Sequence, residues 1–320
     1  MNFLDALEEL ERQGGEGTIP LSGGKALRLT HLDKVYFPDE RITKGALLRY
    51  YVQVAPVLLP VMQDRPLVLH RFPNGISDQG FYQQKAPDDA PNVVRRAQVE
   101  VEGGTRETRV IGGDLPTLLW CVQNGVLSVD PWLSRITTLD AADYAVLDLD
   151  PGPRAPFARV VAVARCIHDV LSELKLHGAV KTSGASGMHI FLPLPGKTSF
   201  ESAGLLAETI AATVVERMPK EATLERAIKA RGASRVYVDC LQNGRGKSVA
   251  SAYAVRARPG APVSTPLEWA ELEGPVDPRA FTRDVVLQRI AREGDLWAKA
   301  MARPNRLAAL ARPRRTRSGR

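Results

Sequence analysis

The sequence predicts an α+β (mixed α/β) fold, with strands and helices sharing one core around a mixed or antiparallel sheet. Short apolar runs of strand type, such as 144–150, alternate with amphipathic segments such as 157–176, whose apolar residues recur at helical spacing. These segments follow no regular strand–helix–strand period, which disfavours a doubly wound parallel sheet. The chain has 320 residues, of which 44% are apolar and 25% charged, so it has globular composition and enough length to bury a large core.

Each predicted element rests on a local pattern. Helices are predicted where apolar residues recur at helical spacing, over 3–12, 44–59, 115–122, 157–176, 200–218 and about 279–302. Strands are predicted where apolar runs lie between turn residues, over 67–69, 144–150, 180–182, 189–192 and 236–239, and twice within 92–111 around Gly103 and Gly104. Thr43 is expected to cap the second helix, because a threonine hydroxyl at this position accepts a hydrogen bond from a free amide of the first turn.

Composition divides the chain into three parts. Residues 1–26 are predicted to form a short helix and a glycine-rich linker, residues 27–302 a folded body, and residues 303–320 a disordered arginine-rich tail. The tail contains seven arginines and no acid, so it accounts for the whole net charge of +7 and leaves the body formally neutral. Such a tail is typical of a sequence-independent contact with phosphates, and a terminus without function is the alternative.

Several classes of protein are disfavoured by simple features. The three cysteines, Cys121, Cys166 and Cys240, lie far apart without a CxxC pair, which argues against a disulfide framework or a structural zinc site and favours a reducing cytosol. The acidic residues near the N-terminus, such as Asp5 and Glu8, are unlike a secretory signal. No apolar stretch is seen to approach the ~18 residues of a membrane helix, so a soluble, cytoplasmic protein is expected.

The strongest chemical feature is the run from Val146 to Gly152. Side chains two apart in a strand point to one face, so Asp148 and Asp150 are expected to project together from the end of a strand. Pro151 is expected to end the ladder and leave the pair at an edge or mouth of the sheet. A second apolar strand ends in Asp239. Neighbouring carboxylates repel one another unless a cation lies between them, and such hard oxygen ligands suit Mg²⁺ or Mn²⁺. The alternative is a set of strand-end acids that cap helices.

A glycine- and serine-rich loop lies between these strands. It includes Ser183 and Ser186 and precedes His189, which alternates with the apolar Ile190 and is therefore expected to face the same side as the aspartates. Glycines allow backbone N–H groups to approach an anion, and serine hydroxyls add donors. The loop does not match GxxxxGK[ST], so it is not a Walker A loop. A plain hairpin turn is the alternative.

Seven ordered segments carry a resemblance to a known family. They are LTHLDKVYFPDERITKG (29–45), HRFPNG with FYQQKAP (70–87), DLPTLLW (114–120), PWLSR (131–135), DLDPG (148–152), KTSGASGMHIFLPL (181–194) and VYVDCLQNGRGKSVASAYAVRARPGAPVSTPL (236–267). Together they resemble the polymerase domain of bacterial ligase D, which belongs to the archaeo-eukaryotic primase superfamily and serves non-homologous end joining. The resemblance covers about residues 27–300, and it makes 27–302 the expected primase-polymerase catalytic domain.

The resemblance implies a fold and an activity. The implied fold has two fused β-sheet layers with flanking helices and the active site between them. The implied activity is template-dependent addition of nucleotides, with a preference for ribonucleotides and with two Mn²⁺ or Mg²⁺ ions. The implied partners are DNA ends, gapped DNA with a 5′-phosphate, NTP or dNTP, Ku and a DNA ligase, and the implied location is the nucleoid.

The resemblance also implies roles for individual residues. The metal-binding and catalytic residues are Asp148, Asp150 and Asp239, and the nucleotide contacts are Ser183, His189, Arg71 and Arg256. A downstream 5′-phosphate would contact His31, Lys34 and Lys44, and template bases would stack on Phe81 and Tyr82. Further DNA contacts would be Gln242, Arg245 and Lys247. Adjacent aromatic residues in a regular strand face opposite ways, so one of Phe81 and Tyr82 is expected to belong to the core.

Three departures and two alternatives accompany this resemblance. Asp130 stands where the family often has His before Pro-Trp, and Ser186 stands where some members have Lys. No ligase Lys-x-Asp-Gly motif is present, so the chain is expected to be a stand-alone polymerase or one domain of a longer protein. A phosphatase of the haloacid dehalogenase type is disfavoured by Pro151 and Pro153 in the Asp-x-Asp loop. The remaining alternative is a non-catalytic scaffold that binds DNA ends and recruits Ku and a ligase.

Overall fold

The computed structural model describes residues 3–21, 24–101 and 103–306, and the helices within them agree closely with the sequence patterns. The helices are α1 (Phe3–Arg12), α2 (Lys44–Met62), α3 (Leu115–Gln123), α4 (Phe157–Glu173), α5 (Phe200–Arg217), α6 (Arg283–Glu293) and α7 (Leu296–Met301). Thr43 caps α2 as predicted, since its side chain accepts a hydrogen bond from the Ala46 amide. The region predicted as one helix from about 279 is divided, because Gly294 adopts a left-handed conformation with φ of 75° between α6 and α7.

Fifteen strands are described. They are β1 (Gly17–Pro20), β2 (Ala26–Leu29), β3 (Val35–Phe37), β4 (Ile42–Thr43), β5 (Leu67–Arg71), β6 (Phe81–Gln83), β7 (Arg96–Glu100), β8 (Arg106–Val110), β9 (Val126–Pro131), β10 (Tyr144–Pro151), β11 (Ala179–Thr182), β12 (Met188–Pro193), β13 (Ala222–Thr223), β14 (Val236–Asp239) and β15 (Pro266–Leu267). The largest sheet has the order β13-β14-β10-β12-β11-β15, and a smaller one has the order β6-β5-β9. All pairs are antiparallel except β13 with β14, so the mixed sheet predicted from the sequence is confirmed.

The large sheet has two apolar faces that pack against different layers. On one face, Leu147 and Leu149 of β10 belong to a core shared with α4 and α5. On the other face, Tyr144 and Val146 belong to a core shared with α2, α3, β5 and β9. Because side chains alternate along a strand, Asp148 and Asp150 continue the second face. The fold therefore directs these carboxylates toward the smaller sheet, between two β layers.

β10 lies in the interior of the large sheet. It pairs with β12 on one side and with β14 on the other, and its ladder with β14 continues to Pro151, which lies opposite Val236. Pro151 is the last paired residue of β10, so the expectation that it ends the ladder is confirmed, whereas the expected position of the aspartate pair at a sheet edge is wrong. Pro151 is tolerated because it is the last residue of the strand, where a missing N–H costs little.

The N-terminal segment and α2 are both tied to the core. Leu7 and Leu10 of α1 join the same apolar cluster as α2, and Glu11 forms an ion pair with Arg49. α2 is long and apolar enough, by length and composition, to cross a membrane, so the expectation that no stretch reaches this length was wrong. More than half of α2 is buried inside the protein, which is typical of a core helix. The divisions at 26/27 and 302/303 stay predictions, and most of the predicted tail, 307–320, lies outside the described residues.

Candidate active site

Four polar side chains form one row across the large sheet. Asp239 of β14 lies opposite Asp148 of β10, Asp148 lies opposite His189 of β12, and His189 lies opposite Lys181 of β11. Directly opposed residues of an antiparallel pair project to the same face, so all four point toward the smaller sheet. Asp150 projects from the same face one step further along β10. The predicted grouping of three aspartates and His189 on one face is confirmed.

Burial and, after it, the charges of neighbouring carboxylates raise the pKa values of the aspartate group. Burial raises the pKa of Asp148 to about 8, with further contributions from the charges of Asp150 and Asp239, while Lys181 and Arg256 oppose the rise. Burial also raises the pKa of Asp150, and the charge of Asp239 adds to this shift. Lys181 and Arg256 lower the pKa of Asp148 but do not cancel the rise, so a further cation between the carboxylates would stabilise their charged forms. The site is therefore electrostatically suited to a multivalent cation.

The aspartates fit a metal ion that a substrate helps to hold. Among the described residues, no three His, Cys, Asp or Glu side chains are arranged to hold a metal ion as they stand. One reason is that Asp239 is engaged elsewhere: its Oδ1 accepts the Leu241 amide at 2.8 Å and its Oδ2 accepts Gln242 Nε2 at 3.2 Å. Mg²⁺ is commonly bound through one or two carboxylates with water and substrate phosphates. Asp148 and Asp150 fit that pattern, and Asp239 could join after its side chain turns from these donors.

His189 bridges the aspartates and a buried lysine. Its Nε2 lies 3.3 Å from Asp148 Oδ1, and its Nδ1 lies 2.7 Å from Lys181 Nζ. Burial lowers the pKa of His189 well below its usual value, and the charges of Lys181 and Arg256 lower it further. Burial likewise lowers the pKa of Lys181. Sequence reasoning assigned no role to Lys181, although a lysine within an apolar strand was a visible signal.

The serine- and glycine-rich loop folds back on Ser183. The Ser183 hydroxyl accepts hydrogen bonds from the amides of Ala185 and Gly187, both at 3.1 Å, which leaves its own proton free to be donated. Arg256 Nη1 donates to the Ser183 carbonyl at 2.8 Å. A Cβ at Gly184, where φ is 69°, would lie 2.5 Å from Arg256 Cγ. Glycine is thus required where the loop and Arg256 meet.

The smaller sheet forms the opposite wall. Arg71 of β5 donates to the Asn124 carbonyl at 3.0 Å and to Gln83 Oε1 at 2.7 Å, so its guanidinium is held by its own layer rather than by the aspartates. Phe81 and Tyr82 of β6 are both exposed, at 48% and 61%. The expectation that one of them belongs to the core is wrong, because short β6 is paired on one side only and no layer covers it.

Contacts from β5 hold the two exposed aromatics. The Tyr82 ring stacks on His70 with a centroid distance of 4.1 Å and an interplanar angle of 13°. The Phe81 ring lies under the Arg71 guanidinium, whose carbon is 5.5 Å from the ring centroid. Each aromatic therefore has one supported face and one that a planar ligand could cover.

Asp130 also belongs to this wall. It is 8% exposed and its Oδ1 accepts a hydrogen bond from Ser128 Oγ at 2.7 Å. Its negative charge acts on His70 and Tyr82 of the same sheet and on Lys181 of the opposite sheet. An acid at this position therefore partly balances the buried cation across the cleft.

His31, Lys34 and Lys44 are brought together where the 30–34 turn meets the start of α2. The Lys44 amide donates to the Lys34 carbonyl at 2.8 Å, and Lys44 Nζ donates to the Thr30 carbonyl at 2.8 Å. Burial lowers the pKa of Lys44 to about 8, and the charge of Lys34 lowers it further. His31 is exposed, with φ of 54° and its Nδ1 3.3 Å from Glu16 Oε1. The cations of this turn suit a phosphate, whereas the amides of Lys34, Lys44 and Gly45 already donate to carbonyl groups.

The loop after β14 is organised by a residue that sequence reasoning missed. Asn243 is buried, and its side chain donates to the Val146 and Cys240 carbonyls and accepts from the Val146 amide, at 2.7 to 2.8 Å. Gln242 contacts Asp239, whereas Arg245 is directed away, to Asp140 at 3.2 Å and to the Glu100 carbonyl at 3.1 Å.

Comparisons with known proteins agree with this arrangement. Residues 43–297 match the model of the LigD primase-polymerase domain family. The multifunctional non-homologous end joining protein LigD of Mycobacterium bovis is 34% identical over 278 residues, 84% of this chain, and the bifunctional LigD protein of Bacillus subtilis is 30% identical over 269 residues, also 84% of this chain. A solved structure, the polymerase domain of Mycobacterium tuberculosis ligase D in complex with DNA, superposes with a TM-score of 0.80 and 32% identity.

The coverage of these relatives defines what the match includes. The chain spans 36% of the M. bovis protein and 43% of the B. subtilis protein, but the solved polymerase domain is covered to 99% and covers 87% of this chain. The likeness therefore concerns one domain of longer proteins and its archaeo-eukaryotic primase-like fold. The chain belongs to the LigD primase-polymerase domain family, whose members are nucleotidyltransferases of the DNA polymerase and primase type.

Proposed function

We propose that this chain adds nucleotides to DNA ends and fills gaps during bacterial non-homologous end joining, using a template strand and preferring ribonucleotides. The observation that carries the proposal is the row of Asp239, Asp148 and His189 in register on the face between the two β layers. Phosphoryl transfer depends on cations and N–H donors fixed in advance around the transferring group. The carboxylates would hold the cations, and nearby groups such as His189 and Ser183 would supply hydrogen-bond donors.

The proposed reaction uses two divalent ions, Mn²⁺ or Mg²⁺. Asp148 and Asp150 would hold both ions and Asp239 would complete one site; when bound, the ions supply positive charge to the attacking and leaving oxygens. His189, Ser183, Arg71 and Arg256 would orient the triphosphate, and the last of these is already fixed by the Ser183 carbonyl. The proton left on the Ser183 hydroxyl is available to a phosphate oxygen.

The proposed DNA contacts lie at three places around the cleft. His31, Lys34 and Lys44 would bind the 5′-phosphate on the far side of a gap, because their side chains are already grouped at this turn. Phe81 and Tyr82 would stack on template bases, which their exposed faces support. Further contacts to the DNA backbone would come from Gln242, Arg245 and Lys247.

The proposed setting is repair at the nucleoid, in the cytoplasm. The named relatives are end-joining proteins, and the chain spans less than half of each. Ku and a DNA ligase, on a separate chain or on the rest of a longer protein, are therefore the proposed partners. Both are protein partners that an end-joining polymerase requires for a complete repair reaction.

Primer extension on a short gapped duplex tests the proposal. The duplex carries or lacks a downstream 5′-phosphate, and ribonucleotides or deoxynucleotides are offered with Mn²⁺ or Mg²⁺. We expect ribonucleotide insertion that requires metal and template and rises with the 5′-phosphate. Asp148→Ala should abolish insertion and leave DNA binding nearly intact, while Asp89→Ala, at an exposed loop acid, should behave as the wild type.

Two results would contradict the proposal. Normal extension by a folded Asp148→Ala variant would remove the aspartates from the reaction. DNA binding without insertion under every metal would favour the non-catalytic scaffold that recruits Ku and a ligase. In that case Asp130→His is the first variant to test for recovery of activity.

A further inference from the structure

Lys181 is the most deeply buried cation of the site. The residue has no exposed surface, and its Nζ lies 2.7 Å from His189 Nδ1 and 2.6 Å from Ser264 Oγ. The Lys181 side chain is directed along the register row toward His189, on the side opposite to Asp148. Burial of a lysine in such a place is energetically unfavourable unless its N–H groups form hydrogen bonds.

The hydrogen bond made by the Ser264 hydroxyl fixes the direction of its contact with Lys181. The Ser264 hydroxyl donates its one proton to the Thr182 carbonyl at 2.9 Å. Ser264 Oγ can therefore only accept from Lys181, so it anchors Nζ as a donor. When the amine also donates to His189, it presents another N–H to Nδ1, and Nδ1 is then the unprotonated nitrogen of the imidazole.

We propose that Lys181 is a positioning residue that holds the proton of His189 on Nε2, the ring nitrogen facing Asp148. This inference rests on the proposed function only for its kinetic consequence. With the proton on Nε2, His189 is a fixed N–H donor at 3.3 Å from Asp148 Oδ1. The same N–H is then available to a phosphate oxygen brought into the cleft, without any rearrangement of the ring.

Removal of the amine should release this constraint. In a Lys181→Met variant, Nδ1 has no donor, and the imidazole can carry its proton on either nitrogen. The form with the proton on Nδ1 directs a lone pair at an incoming phosphate, which is repulsive. A methionine has nearly the volume of the lysine stem, so the packing on Phe191, whose ring centroid lies 5.6 Å from Nζ, is largely kept.

Nitrogen NMR of the histidine rings tests the inference without any activity measurement. The chain has five histidines, and a His189→Gln variant assigns the His189 signals by their loss. In the wild type near neutral pH, we expect Nδ1 to resonate as an unprotonated nitrogen and Nε2 as a protonated one. In Lys181→Met, the two signals should move toward each other as both forms become populated. Lys220→Met, at an exposed lysine, should leave them unchanged.

A second variant keeps the inference testable if Lys181→Met fails to fold. Ser264→Ala keeps the amine and removes its anchor, so we expect an intermediate shift of the same signals. Unchanged His189 signals in folded Lys181→Met, or a wild-type protein with the proton on Nδ1, would overturn the inference. These results are independent of polymerase activity, so failure of the proposed function leaves them interpretable.

The kinetic consequence separates positioning from a purely structural role. If the proposed function holds, Lys181→Met should lower nucleotide insertion about tenfold or more, through loss of one oriented donor to the phosphates. His189→Gln should lower it similarly, and the double variant should be no worse than either single one. Additive losses in the double variant would contradict a role for Lys181 that acts through His189.

Discussion

Asp148 and Asp239 lie directly opposite each other on adjacent antiparallel strands in the interior of the large sheet. Like charges in opposed positions destabilise a strand pair. The cost is increased by burial, which together with Asp150 and Asp239 raises the pKa of Asp148 to about 8. Because this pairing opposes folding, we infer that a bound ligand offsets its unfavourable free energy. A divalent cation between the carboxylates would make the interaction favourable.

The first prediction is that Asp148 lowers the stability of the metal-free protein and is required for its stabilisation by a metal ion. Replacement by Asn keeps the shape of the side chain and removes the carboxyl group whose ionisation the folded protein disfavours. We expect the metal-free Asp148→Asn variant to be more stable than the wild type by about 1 kcal/mol or more, which raises Tm by roughly 2–4 °C. Mn²⁺ should raise the Tm of the wild type and have little effect on the variant. Thermal unfolding with and without Mn²⁺ measures both changes.

Asp89→Asn is the matched control, since Asp89 is an exposed acid with no part in the site. This variant should keep the wild-type Tm and the wild-type response to Mn²⁺. A destabilised Asp148→Asn protein, or one that Mn²⁺ still stabilises as it does the wild type, would show that Asp148 is not a strained ligand.

The sequence allowed the aspartate face to be predicted because the alternation of a strand is a local property. Val146, Asp148 and Asp150 share a face in any strand, whatever lies beside it. The position of His189 followed from the same rule once its strand was recognised. Lys181 could not be assigned in this way, because its contact with His189 depends on the pairing of β11 with β12, and its anchor Ser264 is 83 residues away in the chain.

Two strands of the smaller sheet were not predicted. β6 and β9 flank β5 in this three-stranded sheet; Phe81–Gln83 is short and exposed, and Val126–Pro131 includes the charged Asp130. β6 is too short to show the alternation of apolar and polar residues that marks a strand in sequence, whereas β9 does alternate from Leu127 to Pro131 and was a missed signal. They form strands because β5 pairs with both of them, and this pairing depends on the tertiary structure.

The second prediction concerns the pH dependence of phosphate recognition at Lys44. Its pKa is lowered to about 8 by burial and by Lys34. Only the protonated amine attracts a phosphate, so the preference for 5′-phosphorylated over unphosphorylated gapped DNA should decline as the pH rises above about 8. A bound phosphate raises the pKa of Lys44, so the decline should begin somewhat above that value. Fluorescence anisotropy titrations of both duplexes across this pH range measure the preference.

Variants at the two lysines provide the controls. Lys34→Ala combined with Lys44→Ala should erase the preference at every pH. Lys34→Ala alone should weaken it but retain the decline, since Lys44 still titrates. Equal losses on phosphorylated and unphosphorylated gaps would instead make these lysines general backbone contacts.

The third prediction concerns the exposed ring of Phe81. It is 48% exposed and contacts the Arg71 guanidinium on one face, so its removal should cost little stability. Base stacking on an aromatic ring contributes roughly 1–3 kcal/mol, so Phe81→Ala should weaken binding of gapped DNA by about 5- to 150-fold. Leu205→Ala, at another exposed apolar residue on α5, is the control. Equal affinities of Phe81→Ala and Leu205→Ala would exclude Phe81 from the DNA interface.

The last prediction concerns Asn243, whose side chain bonds to the backbone of β10 beyond the point where β14 ends. β14 pairs with β10 only from Asp148 onward, and the Asn243 side chain takes over at Val146 by bonding both its N–H and its C=O. Asn243→Ala would leave these two buried backbone groups without partners, and each such loss costs about 1–3 kcal/mol. We therefore expect a loss of roughly 2–4 kcal/mol in the free energy of unfolding, measured by urea denaturation.

The same substitution should also affect metal binding, because Asn243 orients the segment next to Asp239. Asn243 also holds the Cys240 carbonyl, next to Asp239, so its loss frees the segment that orients that carboxylate. We expect Asn243→Ala to weaken the Tm rise caused by Mn²⁺, whereas Asn92→Ala, at an exposed asparagine, should change neither stability nor the metal response. An Asn243→Ala protein that is destabilised but responds fully to Mn²⁺ would confine Asn243 to the ladder. If its urea midpoint were unchanged, the two Val146 groups would have to find other partners, and the account of how β10 is held beside the aspartates would fail.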